Sequence, residues 1–278
     1  MTEKLQRKIS NTSLHISNNI SLSIQFSLDG FSFSITENET NEIQYYFTRS
    51  FAKTLKSPEK LLEKIKIIFE KEKELQKDFK KIKVIHENHL STLVPEAYFD
   101  ENLLVDYLDI SIKTLKTDFI AYDTLQKIPA KNVYIPYVNI NNYLFQSFGE
   151  FEYTHHHSIL LEKILQKETN KKAMYVNVAK THLDVIVTNN SELLLINSFA
   201  YDTKEDFIYY ILFVAEQLDL DTEKFLLTLS GVISKYDDIY KITYKYIRNI
   251  NFVKVKEPID SNFKEPHQTN YILLGEWE

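Results

Sequence analysis

The chain has 278 residues, of which 44% are hydrophobic and 26% are charged, and this balance is typical of a globular protein long enough for two domains. It contains no cysteine, which excludes disulfide bonds, cysteine-ligated metal sites and thiol catalysis. Its formal net charge of −6 has the wrong sign for holding nucleic acid over a broad face, so we expect no nucleic-acid partner. The presence of only 4 glycines argues against a nucleotide site built on the usual glycine-rich motifs.

The apolar stretches of the chain are short. The longest, residues 209–215, falls far below the roughly 18 residues that span a bilayer. Residues 1–11 are charged and polar, and no apolar core of a signal peptide follows them. We therefore expect a cytoplasmic protein with no direct membrane insertion.

Residues 22–35 carry the clearest local pattern, because apolar and polar residues alternate on both sides of Asp29-Gly30. An Asp-Gly pair is typical of a two-residue hairpin turn with positive φ. Folding the chain at this turn places six apolar side chains on one face, in the pairs Leu28–Phe31, Phe26–Phe33 and Ile24–Ile35.

The rest of the first half is predicted to alternate strands and helices after a third strand at 43–48. Ser57 as N-cap and Pro58 at the first helical position open a helix. The charged residues 70–78 are predicted to be its solvated outer part, and a docking arm or coiled coil is the alternative. The further predicted elements are a strand at 81–86, a helix at 95–108, strands at 119–122 and 133–138, and a helix at 139–148.

A polar stretch at 149–155 is predicted to separate two domains, residues 1–150 and residues 151–278. This stretch leads into three consecutive histidines. Adjacent helical positions point about 100° apart, whereas a zinc pair on a helix prefers a spacing of one turn. We therefore favour a polar interdomain loop before a helix at 159–166, with a metal site as the alternative for His155, His156 and His157.

The second half repeats the order of the first. Its predicted elements are strands at 173–179, 183–187 and 193–196 around an Asn189-Asn190 turn, a helix opened by Thr203 and Asp206, a strand at 225–229, a helix capped by Ser234 and Asp237, and a closing strand at 252–255. Three antiparallel strands followed by alternating helices and strands therefore occur twice. This order predicts the α/β fold class, with a mixed sheet and flanking helices in each half.

Two further features leave alternatives open. Tyr236, Tyr240 and Tyr244 recur one helical turn apart beside lysines, which favours core residues with wet hydroxyl tips over a surface that stacks bases or binds a peptide. The tail, residues 257–278, is polar and then ends in the largely apolar run 271–277. Such a segment either packs back onto the protein or reaches a partner.

The doubled layout, read over residues 22–255, resembles the actin-like ATPase fold, in which two ribonuclease-H-like lobes face each other across a cleft. It more closely resembles a bacterial family of uncharacterised proteins assigned to that fold. It is also similar, more remotely, to the actin-like cytoplasmic subunits of type IV pilus and type II secretion systems. The resemblance implies a duplicated fold of two lobes, each with a mixed sheet and flanking helices.

The resemblance further implies three loops that hold phosphate or adenosine, and the first loop departs from the family pattern. In the first hairpin, Gln25 stands where the family has an Asp that organises magnesium, and Ser27 stands where it has a glycine. Asp29 offers a carboxylate two residues further on. Its place in the hairpin turn explains it, and a metal role is the alternative.

The other two loops depart in the same direction. Asn177 and Ala179 stand for the Asp and Gly of the second loop, in which Thr181 follows. In the third loop, Gly231 is one of two paired glycines, and Val232 replaces the other. The three loops have lost charge that would hold a cation and flexibility that would admit phosphate.

We therefore expect a non-enzymatic actin-like scaffold or interaction protein with no cofactor, metal or catalytic residues. By resemblance, its protein or peptide partner binds at the cleft or on an added segment of the first half. A sugar-kinase-like enzyme is a further alternative, for which no candidate base stands out. The main alternative is a divergent ATP-binding protein, with ATP and magnesium held by Gln25, Ser27, Asp29, Asn177, Ala179, Thr181, Ser230 and Gly231.

Overall fold

The structure, a computed structural model, divides by its contacts into two compact units, of which the first extends to Leu161 and the second begins at Glu162. No helix of the described residues has the length and apolar character that crossing a membrane requires. The structure describes the backbone of residues 5–10 and, in full, residues 19–166, 171–190, 192–253 and 271–274.

In each unit a run of consecutive antiparallel strands is followed by helices and further strands. The strands are β1 (Leu5–Ser10), β2 (Ile20–Ser27), β3 (Gly30–Glu37), β4 (Ile43–Ser50), β5 (Lys81–His86), β6 (Ser91–Pro95), β7 (Ala121–Thr124), β8 (Ala130–Tyr134), β9 (Glu152–His155), β10 (Ala173–Val178), β11 (His182–Asn189), β12 (Glu192–Ala200), β13 (Leu226–Gly231) and β14 (Asn249–Phe252). The α-helices are α1 (Pro58–Lys71), α2 (Leu104–Asp109), α3 (Val138–Phe148), α4 (His156–Leu165), α5 (Lys204–Gln217), α6 (Asp238–Tyr246) and α7 (Tyr271–Leu274).

The two units share one sheet topology. The first unit has a six-stranded sheet in the order β1-β4-β3-β2-β5-β9, antiparallel from β1 to β2 and parallel from β2 to β9. The second unit has a five-stranded sheet in the order β12-β11-β10-β13-β14, with the same succession of antiparallel and parallel pairs. Without β1, the two orders correspond strand for strand. This correspondence confirms the predicted duplicated α/β fold.

Amphipathic helices cover each sheet and form its core. In the first unit the buried apolar residues of α1 and α3 include Leu61, Ile65, Ile140 and Leu144. In the second unit α5 contributes buried residues that include Phe207, Ile211 and Val214. Helix α5 begins with the capping box that the sequence predicts, because Thr203 and Asp206 each accept a backbone hydrogen bond from the other.

The predicted first hairpin forms, but its register is two residues away from the prediction. Strands β2 and β3 pair Ser27 with Gly30, so the turn consists of Leu28 and Asp29. A shift by two residues keeps each side chain on its face, and the apolar face stays buried. Gly30 does not have a positive φ. Strand β4 requires a glycine there, because a Cβ would lie 2.8 Å from the carbonyl oxygen of Arg49.

Helix α1 ends at Lys71, so the prediction of a solvated helical extension over residues 70–78 is wrong. The buried carboxylate of Glu72 accepts a hydrogen bond from the Tyr45 hydroxyl of β4 at 3.1 Å. Burial, together with the charge of Glu72, raises the pKa of Tyr45 above its usual range. Leu75 is buried in the 3₁₀ turn that follows. The segment after α1 is therefore anchored to the first unit.

The first unit also contains a small sheet of three antiparallel strands in the order β6-β8-β7. This sheet and α2 lie between β5 and β9 in the chain, where the second unit has α6 between β13 and β14. The predicted helix at 95–108 is broken into two 3₁₀ turns and α2. The break occurs because the Asp100 carboxylate accepts a hydrogen bond from the Asn102 N–H and starts a new turn.

His86, the last residue of β5, lies inside the first unit with no exposure to solvent. Its Nδ1 accepts a hydrogen bond from the Tyr137 N–H at 3.1 Å, and its Nε2 lies 2.9 Å from Asn141 Oδ1. Because Nδ1 is an acceptor, the proton is on Nε2 and the ring is neutral. Burial, opposed by the bond to Asn141, lowers the pKa of His86 to about 4.

We predict that the free energy of unfolding falls as the pH decreases from 6.5 toward 4, because the unfolded chain binds a proton at its His86 position before the folded chain does. The contribution of His86 to this fall is about 3 kcal/mol. Urea unfolding of the wild type and of His86→Gln across this pH range measures it. The variant is expected to lose this part of the pH dependence, and an equally steep fall in the variant would contradict the prediction.

Candidate functional site

Four polar residues lie side by side across the sheet of the second unit, and we call them the polar row: Ser198, Asp184, Asn177 and Ser230. They belong to β12, β11, β10 and β13, and each is paired directly with the next in the strand register. Residues that flank Asn177, such as Val176 and Val178, point into the helix-covered core, so Asn177 points to the opposite face.

Hydrogen bonds connect the polar row from end to end. Ser198 Oγ donates to Asp184 Oδ1 at 2.7 Å, and Asn177 Nδ2 donates to Asp184 Oδ2 at 3.0 Å. Ser230 Oγ donates to Asn177 Oδ1 at 3.1 Å. Asn177, Asp184 and Ser230 are all buried. Both polar atoms of the Asn177 amide are therefore held by neighbouring strands.

Sequence reasoning missed Asp184, although a signal for it was present. Asp184 is the single charged residue in the apolar run 183–187, and aspartate is uncommon in strands. A buried carboxyl group needs hydrogen-bond donors nearby. The predicted strands on either side of the 179–182 turn bring Asn177 opposite Asp184, so the pair could have been inferred.

The turn between β10 and β11 is closed by its own hydrogen bonds and by Tyr201. The Ala179 N–H donates to the His182 carbonyl oxygen at 2.9 Å, and the Ala179 carbonyl oxygen accepts from the Tyr201 hydroxyl at 2.6 Å. The Thr181 carbonyl oxygen accepts from the Tyr201 N–H at 2.9 Å, and Thr181 Oγ1 lies 3.0 Å from His182 Nδ1. Ala179 and Thr181 thus lie in one turn that is bonded to the protein itself.

Gly231 packs directly on the backbone of β10. Its φ is +84°, and a Cβ at this position would lie 2.2 Å from the Val178 carbonyl oxygen and 2.6 Å from the Val178 nitrogen. The following Val232 N–H donates to the same oxygen at 2.7 Å. The sheet itself therefore requires glycine at position 231.

In the first unit, the three candidate residues of the hairpin contact three different partners. Gln25 Nε2 donates to Glu87 Oε2 at 2.8 Å, and its Oε1 is buried without a hydrogen-bond partner among the described residues. Ser27 Oγ accepts from the Asp29 N–H at 3.1 Å. Asp29 Oδ1 accepts from the Thr54 hydroxyl at 2.5 Å. Asp29 lies in the turn, as the sequence predicts.

The three consecutive histidines are buried, so the prediction of a polar loop is wrong. His155 ends β9, which pairs in parallel with β5 of the first sheet, and His156 begins α4. His155 Nε2 lies 3.0 Å from the Asn88 carbonyl oxygen, and its Nδ1 accepts from the His157 N–H at 3.2 Å. This pattern makes His155 neutral, with its proton on Nε2.

Asp123 of β7 stabilises the junction between β9 and α4, and the sequence analysis did not identify it. Its Oδ2 accepts hydrogen bonds from Ser158 Oγ at 2.6 Å, Thr154 Oγ1 at 2.7 Å and the His155 N–H at 2.8 Å. Burial raises the pKa of the Asp123 carboxyl, although these hydrogen bonds oppose the shift. The partners are about thirty residues away in the chain, so no local pattern reveals them.

The three tyrosines of the repeated pattern, Tyr236 before α6 and Tyr240 and Tyr244 within it, differ in their surroundings. Tyr240 is partly buried and stacks on Phe252 with a centroid distance of 5.5 Å, as expected for a core residue. Tyr236 and Tyr244 are exposed, so the core interpretation is wrong for these two. The helix begins after Asp237, and the Asp237 carboxylate accepts from the Ser234 N–H at 2.7 Å in the preceding turn.

The apolar end of the tail packs onto the second unit. Residues 271–274 form α7 and are buried. The buried Lys163 Nζ donates to the carbonyl oxygens of Tyr271 at 2.7 Å and Ile272 at 3.0 Å, and it lies 4.8 Å from the centre of the Tyr271 ring. Of the two alternatives for the tail, residues 271–274 agree with packing back onto the protein. The rest of the tail lies outside the described residues.

The repeated strand order of the two units defines the class of this protein, which is the actin-like ATPase fold. A protein of unknown function with this fold, from Bacteroides thetaiotaomicron, is similar with a TM-score of 0.78 and 25% identity, over 88% of this chain and 94% of that chain. A chain of the PilM–PilN type IV pilus biogenesis complex is similar with a TM-score of 0.58 and 11% identity, over 92% of this chain and 96% of that chain.

The chain belongs to DUF3822, a family of proteins of unknown function whose family model matches residues 9–250. No curated protein matches the chain. The predicted resemblance to an uncharacterised family with the actin-like ATPase fold, and the more remote one to a type IV pilus protein, are both confirmed.

We predict that Gly231→Ala lowers the free energy of unfolding by about 3 kcal/mol or more, because the new Cβ overlaps the Val178 backbone and the φ is unfavourable. Gly149→Ala is the matched control. Its φ of +79° and ψ of −139° are almost restricted to glycine, but no atom lies within 4 Å of the new Cβ, so only the backbone cost of about 1–3 kcal/mol applies. Chemical denaturation measures both variants, and equal losses would contradict the assigned contact.

We predict that Asn177→Asp destabilises the second unit strongly at neutral pH, because it places a second carboxylate beside Asp184 where the amide nitrogen lay at 3.0 Å. The expected loss is about 2–4 kcal/mol. It shrinks as the pH falls, because the carboxyl pair then shares a proton. Denaturation near pH 7.5 and pH 5 measures this, with the exposed Asn197→Asp as control. The same loss at both pH values would show that repulsion is not the cause.

Proposed function

We propose that this chain is an actin-like protein that acts by binding a protein partner and does not use a nucleotide. The observation that carries the proposal is the hydrogen bonding of Asn177, which by resemblance stands at the place of the family's cation-organising Asp. Its amide oxygen and nitrogen are both engaged, by Ser230 and Asp184. A neutral amide whose oxygen and nitrogen are already engaged in hydrogen bonds offers a magnesium ion no charge and is a weaker ligand than a carboxylate.

The other loop residues support the same conclusion. In the β10–β11 turn, the Ala179 N–H already donates a hydrogen bond to the His182 carbonyl oxygen. A phosphate is bound most readily by backbone N–H groups that have no other acceptor. Gly231, which by resemblance would admit adenosine, is explained by its contact with the Val178 backbone. The residues at the family's loop positions therefore fit the protein's own sheet better than a nucleotide.

A protein partner is also supported by the likeness to a chain of the PilM–PilN complex. That complex is an example of this fold in a protein–protein assembly. A fold that has lost its nucleotide chemistry keeps the ability to present surfaces, and binding needs only complementary shape and charge.

One observation favours the alternative, a divergent ATP-binding protein. Gln25 Oε1 is a buried acceptor without a hydrogen-bond partner among the described residues, and it could accept a bond from magnesium-bound water. This single atom carries no charge. The proposal without nucleotide is therefore the one we prefer.

We predict that isothermal titration of the chain with MgATP or MgADP gives no saturable binding up to about 1 mM, which corresponds to a binding free energy weaker than about −4 kcal/mol. Micromolar affinity in the wild type would contradict the proposal. In that case, loss of binding in Asn177→Lys but not in Asn197→Lys, whose site is exposed on β12, would establish the alternative.

A further inference from the structure

Exposed apolar side chains are concentrated in one segment of the first unit. Of the sixteen large hydrophobic side chains that are exposed among the described residues, six lie within 22 consecutive residues. Single exposed hydrophobics are ordinary, whereas a cluster of them marks an interaction site. The six are Tyr98, Leu103, Val105, Ile110, Leu115 and Phe119.

This segment is folded, so the exposure is not a consequence of a loose chain. The Tyr107 hydroxyl donates to the Tyr98 carbonyl oxygen at 2.6 Å, and it accepts from the Asp100 N–H at 2.8 Å. The Asp109 carboxylate accepts from the Thr114 hydroxyl at 2.6 Å. The inward-facing residues pack against the small sheet around Leu108, which is fully buried. The exposed side chains are thus held outward by their own backbone.

The same segment is strongly acidic. Six carboxylates against two lysines leave residues 96–119 with a formal charge of −4, while the whole chain carries −6. Glu96 pairs with Lys131, outside the segment, at 3.4 Å. Asp100, Asp109 and Asp118 accept hydrogen bonds within the segment. Glu101 accepts one from the Tyr122 hydroxyl of β7, and Asp106 is exposed.

We infer that the exposed side chains of residues 96–119 form a docking surface for a basic amphipathic segment of a partner protein. The inference rests on the proposed function and names the partner's chemistry. The apolar residues of the surface would cover apolar side chains of the partner, and the carboxylates would face its lysines and arginines. Helix α2 and the two 3₁₀ turns before it supply most of this surface.

The charge of the surface decides between occupants. Nucleic acid and an anionic membrane are both repelled by a net negative patch. A second copy of the chain, bound through the same surface, would place like charges opposite each other, because a two-fold interface is self-complementary. A basic segment is the occupant that gains from both the apolar and the acidic side chains.

The test uses the full chain and two fluorescein-labelled helical peptides, one of leucine and lysine, the other of leucine and glutamate with the leucines at the same positions. Fluorescence anisotropy measures their binding. The leucine–lysine peptide is expected to bind at least about tenfold more tightly, and raising NaCl from about 50 to about 300 mM is expected to weaken it severalfold. Equal affinity of the two peptides overturns the inference.

Variants of exposed residues locate the binding. The double variant Ile110→Ser and Leu115→Ser is expected to weaken the leucine–lysine peptide at least about tenfold, since it removes two exposed apolar contacts. Asp106→Lys is expected to weaken it about threefold or more and to lower its salt dependence. The control is Tyr209→Ser with Phe213→Ser on α5, which are also exposed apolar residues but belong to the second unit.

Three results with the variants would also overturn the inference. The first is an equal loss of binding in the α5 control, and the second is unchanged binding in Ile110→Ser with Leu115→Ser. The third is self-association of the free chain that this variant abolishes, since the surface would then belong to a second copy. Thermal melts of each variant establish that the fold is kept. The MgATP titration tests the proposed function separately, so failure of either proposal is recognised by itself.

Discussion

The carboxyl group of Asp184 is the strictest constraint on the second unit, because removing such a group from water costs several kcal/mol unless donors surround it. Its donors, Asn177 and Ser198, lie on the two neighbouring strands and are in place only in one register. Ser230 orients Asn177 from a fourth strand. One buried acid therefore specifies the alignment of strands β10 to β13 and engages Asn177 and, through it, Ser230.

The two units have the same strand order but differ in the segments that connect their parallel strands. In the second unit the strands meet in the polar row, and α6 alone connects β13 to β14. In the first unit the corresponding connection, from β5 to β9, contains α3 and, in addition, a separate sheet with α2 and a small core of its own. This small core keeps the segment folded, so side chains on the outer face of the segment can be apolar without contributing to its stability. The addition of this sheet is what creates a surface that the repeat by itself would not contain.

Much of the fold could be predicted from the sequence because it depends on periodicity. The features that could not be predicted depend on contacts between residues far apart in the chain. The alternation in residues 22–35 identifies the buried face of the hairpin. The predicted register was wrong because Gly30 was assigned to the turn, whereas its glycine is required by contact with β4. The buried position of His155 depends on contacts that include Asp123, which is far away in the chain. Asn177 was predicted as a candidate loop residue, whereas its partner Asp184 could have been found only by pairing the two strands.

The distribution of charge sets how a partner would find this protein. Two thirds of the net charge of −6 falls within residues 96–119, which carry −4, so the rest of the chain is nearly balanced. At physiological ionic strength, fields decay over about 8 Å, and a concentrated patch therefore directs an approaching basic segment to one place rather than to the whole surface. Because the exposed apolar side chains lie within the same segment, a partner attracted there by charge is already positioned to bury apolar area against them.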